Sequence, residues 1–284
     1  MPNLALVHHK SPSAFRRLAI GTWQTAYDPS VYGSLELRVE ETLRYLEAFR
    51  SRTGKKLSIN HLLAKACGTV LKQVPEANAI LRFHRIYLRQ TVGVFFQVAM
   101  SREDSKGSDL SGLTIHHTDQ KSLLEIHDEF ERKVELTRAR LDRHFEPSRR
   151  RLSWVPGWLL GTVLNLISFF SYTLNLNLKW VGVPHDAFGS IMITNVGSLG
   201  LDLAFAPLLP YTRVPIVLAV GAVHDAPVVS GEQVVVGKVM RLSVTFDHRF
   251  IDGAHAAKMA TLLRSFIERP FDHFEPLDGP PLTP

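Results

Sequence analysis

The sequence predicts an α+β fold, and three observations carry that expectation. Apolar, strand-like runs recur along the chain, as at 91–99 and 215–223. Amphipathic helical stretches collect early, over 40–74, and late, over 253–268, instead of alternating with every strand. With 284 residues and 45% hydrophobic content, the chain can build a substantial core. One domain carrying an insertion at about 145–188 fits better than two independent ones.

Taken in order, a short helix is expected over 13–27, with Ser13 as its cap and Arg16 and Arg17 in its first turns. Residues 32–39 alternate apolar and charged side chains in their second half, the pattern of a half-buried strand. A helix follows over 40–52, with Leu43, Leu46 and Phe49 on one face and Thr53-Gly54 as its stop. A second runs from 58 to 74, with apolar residues from Ile59 to Leu71 at helical spacing, and Pro75 ends it. Residues 81–100 read as strand, turn and strand, the run 91–99 being typical of a central strand. A polar loop over 101–109 leads to a short strand near 113–115 and a long helix over 122–141. Beyond an uncharged segment at 154–178, strands are expected at 190–195, 215–223, 233–236 and 241–246, the last two joined around Gly237. The final helix spans 253–268 and stops at Pro270, and the Pro-rich tail to Pro284 is irregular.

Composition narrows the function. Thirty-three Lys and Arg against 27 Asp and Glu give a net charge of +6, spread without a long basic run. That balance suits an anionic small ligand, and nucleic acid is not the expected partner. A single cysteine, Cys67, excludes a disulfide framework and a Cys-based metal site. His8, His9, His116, His117, His224 and His255 form no recognised ligand spacing, and the adjacent His116 and His117 would point to opposite faces of a strand. No metal is expected. Residues 1–10 lack the charged head and long apolar run of a signal peptide, so a reducing, cytoplasmic setting is the expectation.

The chemistry concentrates in Phe246-Asp247-His248-Arg249-Phe250-Ile251-Asp252-Gly253-Ala254. A strand runs into a turn carrying His248, and Asp252-Gly253 opens the next helix. An imidazole held there can remove a proton. The same residues also read as an ordinary polar turn followed by an Asp N-cap.

This stretch resembles the HxxxDG motif, in its DHRxxDGA form, of the 2-oxoacid dehydrogenase acyltransferases (dihydrolipoamide acyltransferases), within the chloramphenicol acetyltransferase-like superfamily. Further segments share the resemblance in the right order. Residues 189–197 resemble GTFTISNxG, 213–221 are similar to PPxxAILAVG, 57–81 match a helix ending in PELN, and 121–126 fit the start of a long helix. The resemblance implies a mixed sheet flanked by helices, with 145–188 as an apolar helical insertion. It implies acyl transfer between thiols, coenzyme A and a dihydrolipoamide-type acceptor, with His248 as general base. Thr194 stands at the position of an oxyanion-donating serine, and Asn195 beside it is the weaker candidate. Asp252, with Gly253, would support the site's architecture, often through an arginine, for which Arg16 and Arg17 are the candidates. It also implies a homotrimer with each site at a subunit interface, His248 from one chain and Thr194 from its neighbour.

Three departures bear on the substrate. No lipoyl or subunit-binding domain is legible here, so a lipoyl group is expected from another chain. Residues 100–107 do not resemble the DTPRGLxxPV segment that shapes the substrate channel. The insertion reads as a packing element, a lid over the acyl channel, or a membrane contact through 152–180 with Arg149-Arg150-Arg151 at the headgroups. A coenzyme A-dependent acyltransferase with a non-lipoyl acceptor and a non-catalytic scaffold of the same fold are the alternatives. The Pro-rich tail does not resemble an assembly contact, and a plain trimer is expected.

Overall fold

The computed structural model describes residues 2–8, 10, 29–100, 109–139 and 155–277. The helix expected over 13–27, with Arg16 and Arg17, the greater part of the polar loop, and the end of the tail lie outside those residues, as do Arg149, Arg150 and Arg151.

The described chain begins with β1 (Leu6–His8) and β2 (Ser30–Arg38). Two helices follow, α1 (Glu40–Thr53) and α2 (Ile59–Gln73). Gly54 closes α1 in the left-handed conformation at φ 72°, as glycine permits without strain. The α1 stripe that reaches the core is Thr42, Tyr45 and Phe49. Leu46 packs at its edge and Leu43 is only half-buried, so the buried face is turned from the expected one toward Tyr45. Residues 79–100 fold into three strands where two were expected: β3 (Ala79–Arg82), β4 (Arg85–Arg89) and β5 (Gly93–Met100). The strand expected near 113–115 extends to β6 (Asp109–His116). The helix α3 (Leu123–Arg138) opens with a reciprocal capping box between Ser122 and Glu125. The insertion supplies α4 (Gly157–Ser168), which loosens into a π-helical turn over Phe169–Thr173.

The remaining elements are β7 (Ile191–Asn195), β8 (Ile216–Val220), β9 (His224–Ser230), β10 (Gln233–Asp247), α5 (Gly253–Glu268) and α6 (Pro270–His273). The two strands expected around Gly237 are one continuous strand, and β9 was not foreseen. A Cβ on Gly237 would meet Val228 Cγ2 at 2.5 Å and Glu40 Oε1 at 2.7 Å. Glycine there permits close approach of neighbours and breaks nothing.

The large sheet runs β2-β10-β8-β7-β5-β6, and β9 pairs with the first half of β10. β5 with β7 and β7 with β8 are parallel, while the other pairs are antiparallel. The sheet is therefore mixed, as expected. A three-stranded sheet, β1-β4-β3, stands beside it. Alternation sorts the strands' side chains. Val94, Phe96, Leu218, Leu242 and Phe246 join the main core with α1, α2, α3 and α5. Phe95, Met192 and Val217 meet Leu208 and Val214 in a smaller cluster on the opposite face.

Candidate active site

His248 lies one residue past the end of β10, which pairs with β2, β8 and β9. Backbone bonds fix the turn: Asp247 N–H donates to Pro215 O at 2.9 Å, His248 N–H to Pro29 O at 2.8 Å, and Phe250 and Ile251 N–H both to Asp247 O at 3.1 Å. The side chains flanking the histidine complete the frame. Arg249, 6% exposed, forks onto Asp247, 2% exposed. Its Nε lies 2.9 Å from Oδ1 and its Nη2 2.5 Å from Oδ2. Removing one member of such a buried pair costs about 3–5 kcal/mol, because the other charge is left without compensation.

His248 Nδ1 lies 2.8 Å from the carbonyl oxygen of Ile251. A carbonyl only accepts, so Nδ1 carries the hydrogen. In the neutral ring the lone pair then sits on Nε2. Asp252 caps α5: its Oδ1 accepts from His255 N–H at 3.0 Å and lies 2.7 Å from His255 Nδ1. Gly253 is the first helical residue and is exposed, and a Cβ there would touch nothing within 4 Å. The expected arginine partners of Asp252, Arg16 and Arg17, fall outside the described residues.

Thr194 stands near the end of β7, half-buried. The carbonyl-side turn that follows is organised by Asn195, whose Oδ1 accepts from Ser198 N–H at 3.0 Å, while Ser198 Oγ donates to Asn195 O at 2.7 Å. Asn195 thus acts on its own backbone. The register separates Thr194 from His248 within one chain. Thr194 aligns with Ala219, and Ala219 with Ser243. His248 is five residues beyond Ser243, so the two side chains stand roughly 17 Å apart along the strands and about 10 Å across them.

Next to Thr194's strand end runs an open apolar stretch. Leu199, Leu201, Leu203 and Phe205 are all exposed, and Phe205 meets the exposed Tyr32 edge-on, with ring centroids 5.6 Å apart. A contiguous patch of this kind marks a contact surface more often than a free one.

Two further features adjoin the turn that carries His248. Arg213, two residues before Pro215, has a left-handed backbone at φ 57° and donates from Nε to Ser168 Oγ at 3.0 Å. Burial and then the charge of Arg249 lower its pKa. The insertion is thereby fastened to the end of the sheet that carries His248. A cavity of about 90 Å³ lies between the sheet and α2 and α5, walled by Phe246, Val244, Cys67, Met259 and Leu263 among others. Burial pushes the Cys67 thiol up to about 12, which removes it as a nucleophile at neutral pH.

The model of the 2-oxoacid dehydrogenases acyltransferase catalytic domain matches residues 18–144 and 185–274. The chain belongs to this family. The match skips 145–184, so the insertion is foreign to the 2-oxoacid dehydrogenase acyltransferase pattern. The chain is 26% identical, over 221 residues, to the dihydrolipoyllysine-residue acetyltransferase component of the acetoin cleaving system of Bacillus subtilis, covering 77% of this chain and 43% of that protein. It spans less than half the length of the first curated relatives it matches. The fold is similar to that of Azotobacter vinelandii dihydrolipoamide acetyltransferase, a structure determined to define the roles of a serine, a histidine and an asparagine in its catalytic mechanism. The TM-score is 0.62 at 22% identity, covering 91% of this chain and 88% of that one. It is also similar to chloramphenicol acetyltransferase, with a TM-score of 0.51 at 13% identity and coverage of 93% and 100%.

The sequence did not single out the Asp247–Arg249 pair, the Ile251 carbonyl or the His255 contact. The first was in plain view, since acid and base flank His248. The second is a backbone atom, and nothing in residue identity announces it.

Proposed function

We propose that this acyltransferase domain moves an acyl group between two thiols, coenzyme A and a dihydrolipoamide-type acceptor. The observation that carries the reading is the His248 Nδ1 contact with a carbonyl, 2.8 Å, which puts the lone pair on Nε2. A thiol with an ordinary pKa near 8.5 is mostly protonated at neutral pH. Nε2 takes the thiol proton as sulfur attacks the thioester carbonyl. The carbonyl oxygen gains the negative charge, and the Thr194 hydroxyl donates to it. Collapse breaks the original carbon–sulfur bond, and the departing thiolate recovers the proton from the imidazolium. Asp252 and Gly253 hold the helix start behind the histidine. Arg16 or Arg17 is the proposed arginine behind Asp252, and Asn195 shapes the turn after Thr194.

The separation of Thr194 and His248 supports a homotrimer in which the two come from adjacent chains, and the apolar patch at 199–205 supports the contact. The relative solved with its serine, histidine and asparagine roles in view places the asparagine four residues after the histidine, the spacing of Asp252 from His248. The lipoyl group would be carried by another polypeptide or by a segment beyond these residues. A second reading, a coenzyme A-dependent acyltransferase with a non-lipoyl acceptor, is favoured by one observation: the family-foreign insertion is fastened through Arg213 beside the catalytic turn.

Incubation with a panel of acyl-coenzyme A donors, with free dihydrolipoamide or small alcohols and amines as acceptor, tests both. Turnover that falls at least about 100-fold in His248→Ala is expected. Turnover confined to a non-thiol acceptor moves the assignment to the second reading. Turnover indifferent to the substitution sinks the mechanism.

A further inference from the structure

The insertion leaves its apolar side uncovered. From Val155 to Leu178 the sequence has no charged residue, a composition that water-facing helices do not have. Leu160, Val163, Leu164 and Ile167 are half-buried toward the domain. The open side shows Trp158, 83% exposed, and Leu166, 51% exposed, with the uncharged Gly161, Thr162 and Asn165 between them. In and beside the π turn Tyr172 packs inward against Leu4 and Ile80, but the other aromatic rings face out. Ser168, Ser171 and Thr173 are buried, while Phe169, Phe170 and Leu174 are exposed. The hydroxyl-bearing residues are anchored inward: Ser168 Oγ accepts from Arg213, Ser171 O from Asn3 Nδ2 at 3.0 Å, and Thr173 O from Arg82 Nε at 2.9 Å. Leu176 and Trp180, the latter 82% exposed, continue the open surface.

The sequence around this segment is basic. Between Pro147 and His185 the sequence carries Arg149, Arg150, Arg151 and Lys179 and no acidic residue. The tip of the β3–β4 hairpin, tied to the π turn through Arg82, adds exposed Phe83 and Arg85. Apolar side chains with exposed tryptophans at both ends of the segment, and the exposed cations Lys179 and Arg85, match an anionic lipid surface. Tryptophan's amphipathic ring favours the headgroup level, and each nearby Lys or Arg adds attraction to anionic lipid. Residues 157–173 reach only about 25 Å as a helix, and among the described residues no helix is long and apolar enough to cross a membrane. The geometry points to a segment that lies in the plane of the interface.

We propose that the insertion docks the domain onto an anionic bilayer, with Trp158, Leu166, Phe169, Phe170 and Trp180 at the acyl boundary. The test is flotation of the purified protein with vesicles of phosphatidylcholine alone or with 30% phosphatidylglycerol, with tryptophan emission recorded alongside. Binding to the anionic vesicles, weakened by salt and accompanied by a blue shift, is expected. Trp158→Gln with Leu166→Gln should reduce partitioning at least tenfold, and Arg85→Glu with Lys179→Glu several-fold. Both pairs lie on exposed positions, and an unchanged thermal melt checks the fold. Failure of the wild type to float with either vesicle overturns the proposal, as does binding untouched by both pairs. A change in oligomer mass by light scattering in the first pair, without vesicle binding, would reassign the face to contact between copies of the chain.

Discussion

At His248 a backbone oxygen decides which imidazole nitrogen bears the lone pair. The Ile251 carbonyl fixes the tautomer, and the Arg249–Asp247 fork fixes the turn from which the ring projects. Neither group needs to touch a substrate to matter. Thr194 is the complementary half of the proposed chemistry. A single oxyanion donor is worth on the order of 100-fold or more in kcat. Thr194→Val keeps the shape and removes the hydroxyl, so kcat should fall about 100-fold with little change in KM. Thr194→Ser should retain turnover within several-fold, since the donor survives and only a methyl is lost. Steady-state kinetics on the two variants checks this, and full turnover by the valine variant would remove Thr194 from the reaction.

Among the elements, α2 carries a pH dependence that its sequence hides. The helix is closed by Ser58 and His61. Ser58 N–H donates to His61 Nδ1 at 2.9 Å, which requires that nitrogen to be unprotonated. Burial, and then the neighbouring His127, push His61 down to about 3. The unfolded chain titrates this histidine near 6.5. Between those values only the unfolded state binds the proton, so stability is full above about 6.5 and is lost as pH falls toward 3. Urea denaturation at pH 7.5 and 5.5 should show a loss of about 1 kcal/mol attributable to this group. His61→Gln, which can still fill the third position of a capping box, should lose correspondingly less over the same interval. An equal loss in both proteins would contradict the assignment. The same helix was legible in the sequence because its apolar residues repeat at 3.6 and Ser58 and Pro75 bracket it. By contrast β9 carries Asp225 and Pro227, which read as loop, and an edge strand tolerates proline. Gly237 read as a break for the same reason, although its role is contact with Val228 across the β9–β10 pair. The catalytic histidine candidate was legible as a motif, whereas the carbonyl that orients it could emerge only from the folded turn.

For the whole molecule, the decisive geometry is the distance between the two ends of the sheet. Thr194 and His248 of one chain are separated by five residues of β10 and by the width of two strand spacings, far beyond the reach of one thioester carbonyl. If they act together, they do so across a boundary between copies, and a cyclic arrangement gives every copy one His248 and one Thr194 to share with different neighbours. This makes inactive variants complementary. A chain with His248→Ala still carries a sound Thr194, and a chain with Thr194→Val still carries a sound His248. Each is inactive alone. In hybrids formed by co-expression, a boundary with His248 from the second kind and Thr194 from the first is intact. Random assembly in equal amounts makes about one boundary in four of this type, so the mixture should recover about a quarter of the wild-type rate. The double variant, with both substitutions in one chain, co-expressed with wild type gives the control, because there the count of intact boundaries is again about one in four from wild-type pairs alone. Absence of any recovery in the first mixture, with hybrids demonstrated by differential tagging, would place both groups in one chain and contradict the register of the sheet as the reason for an interfacial site.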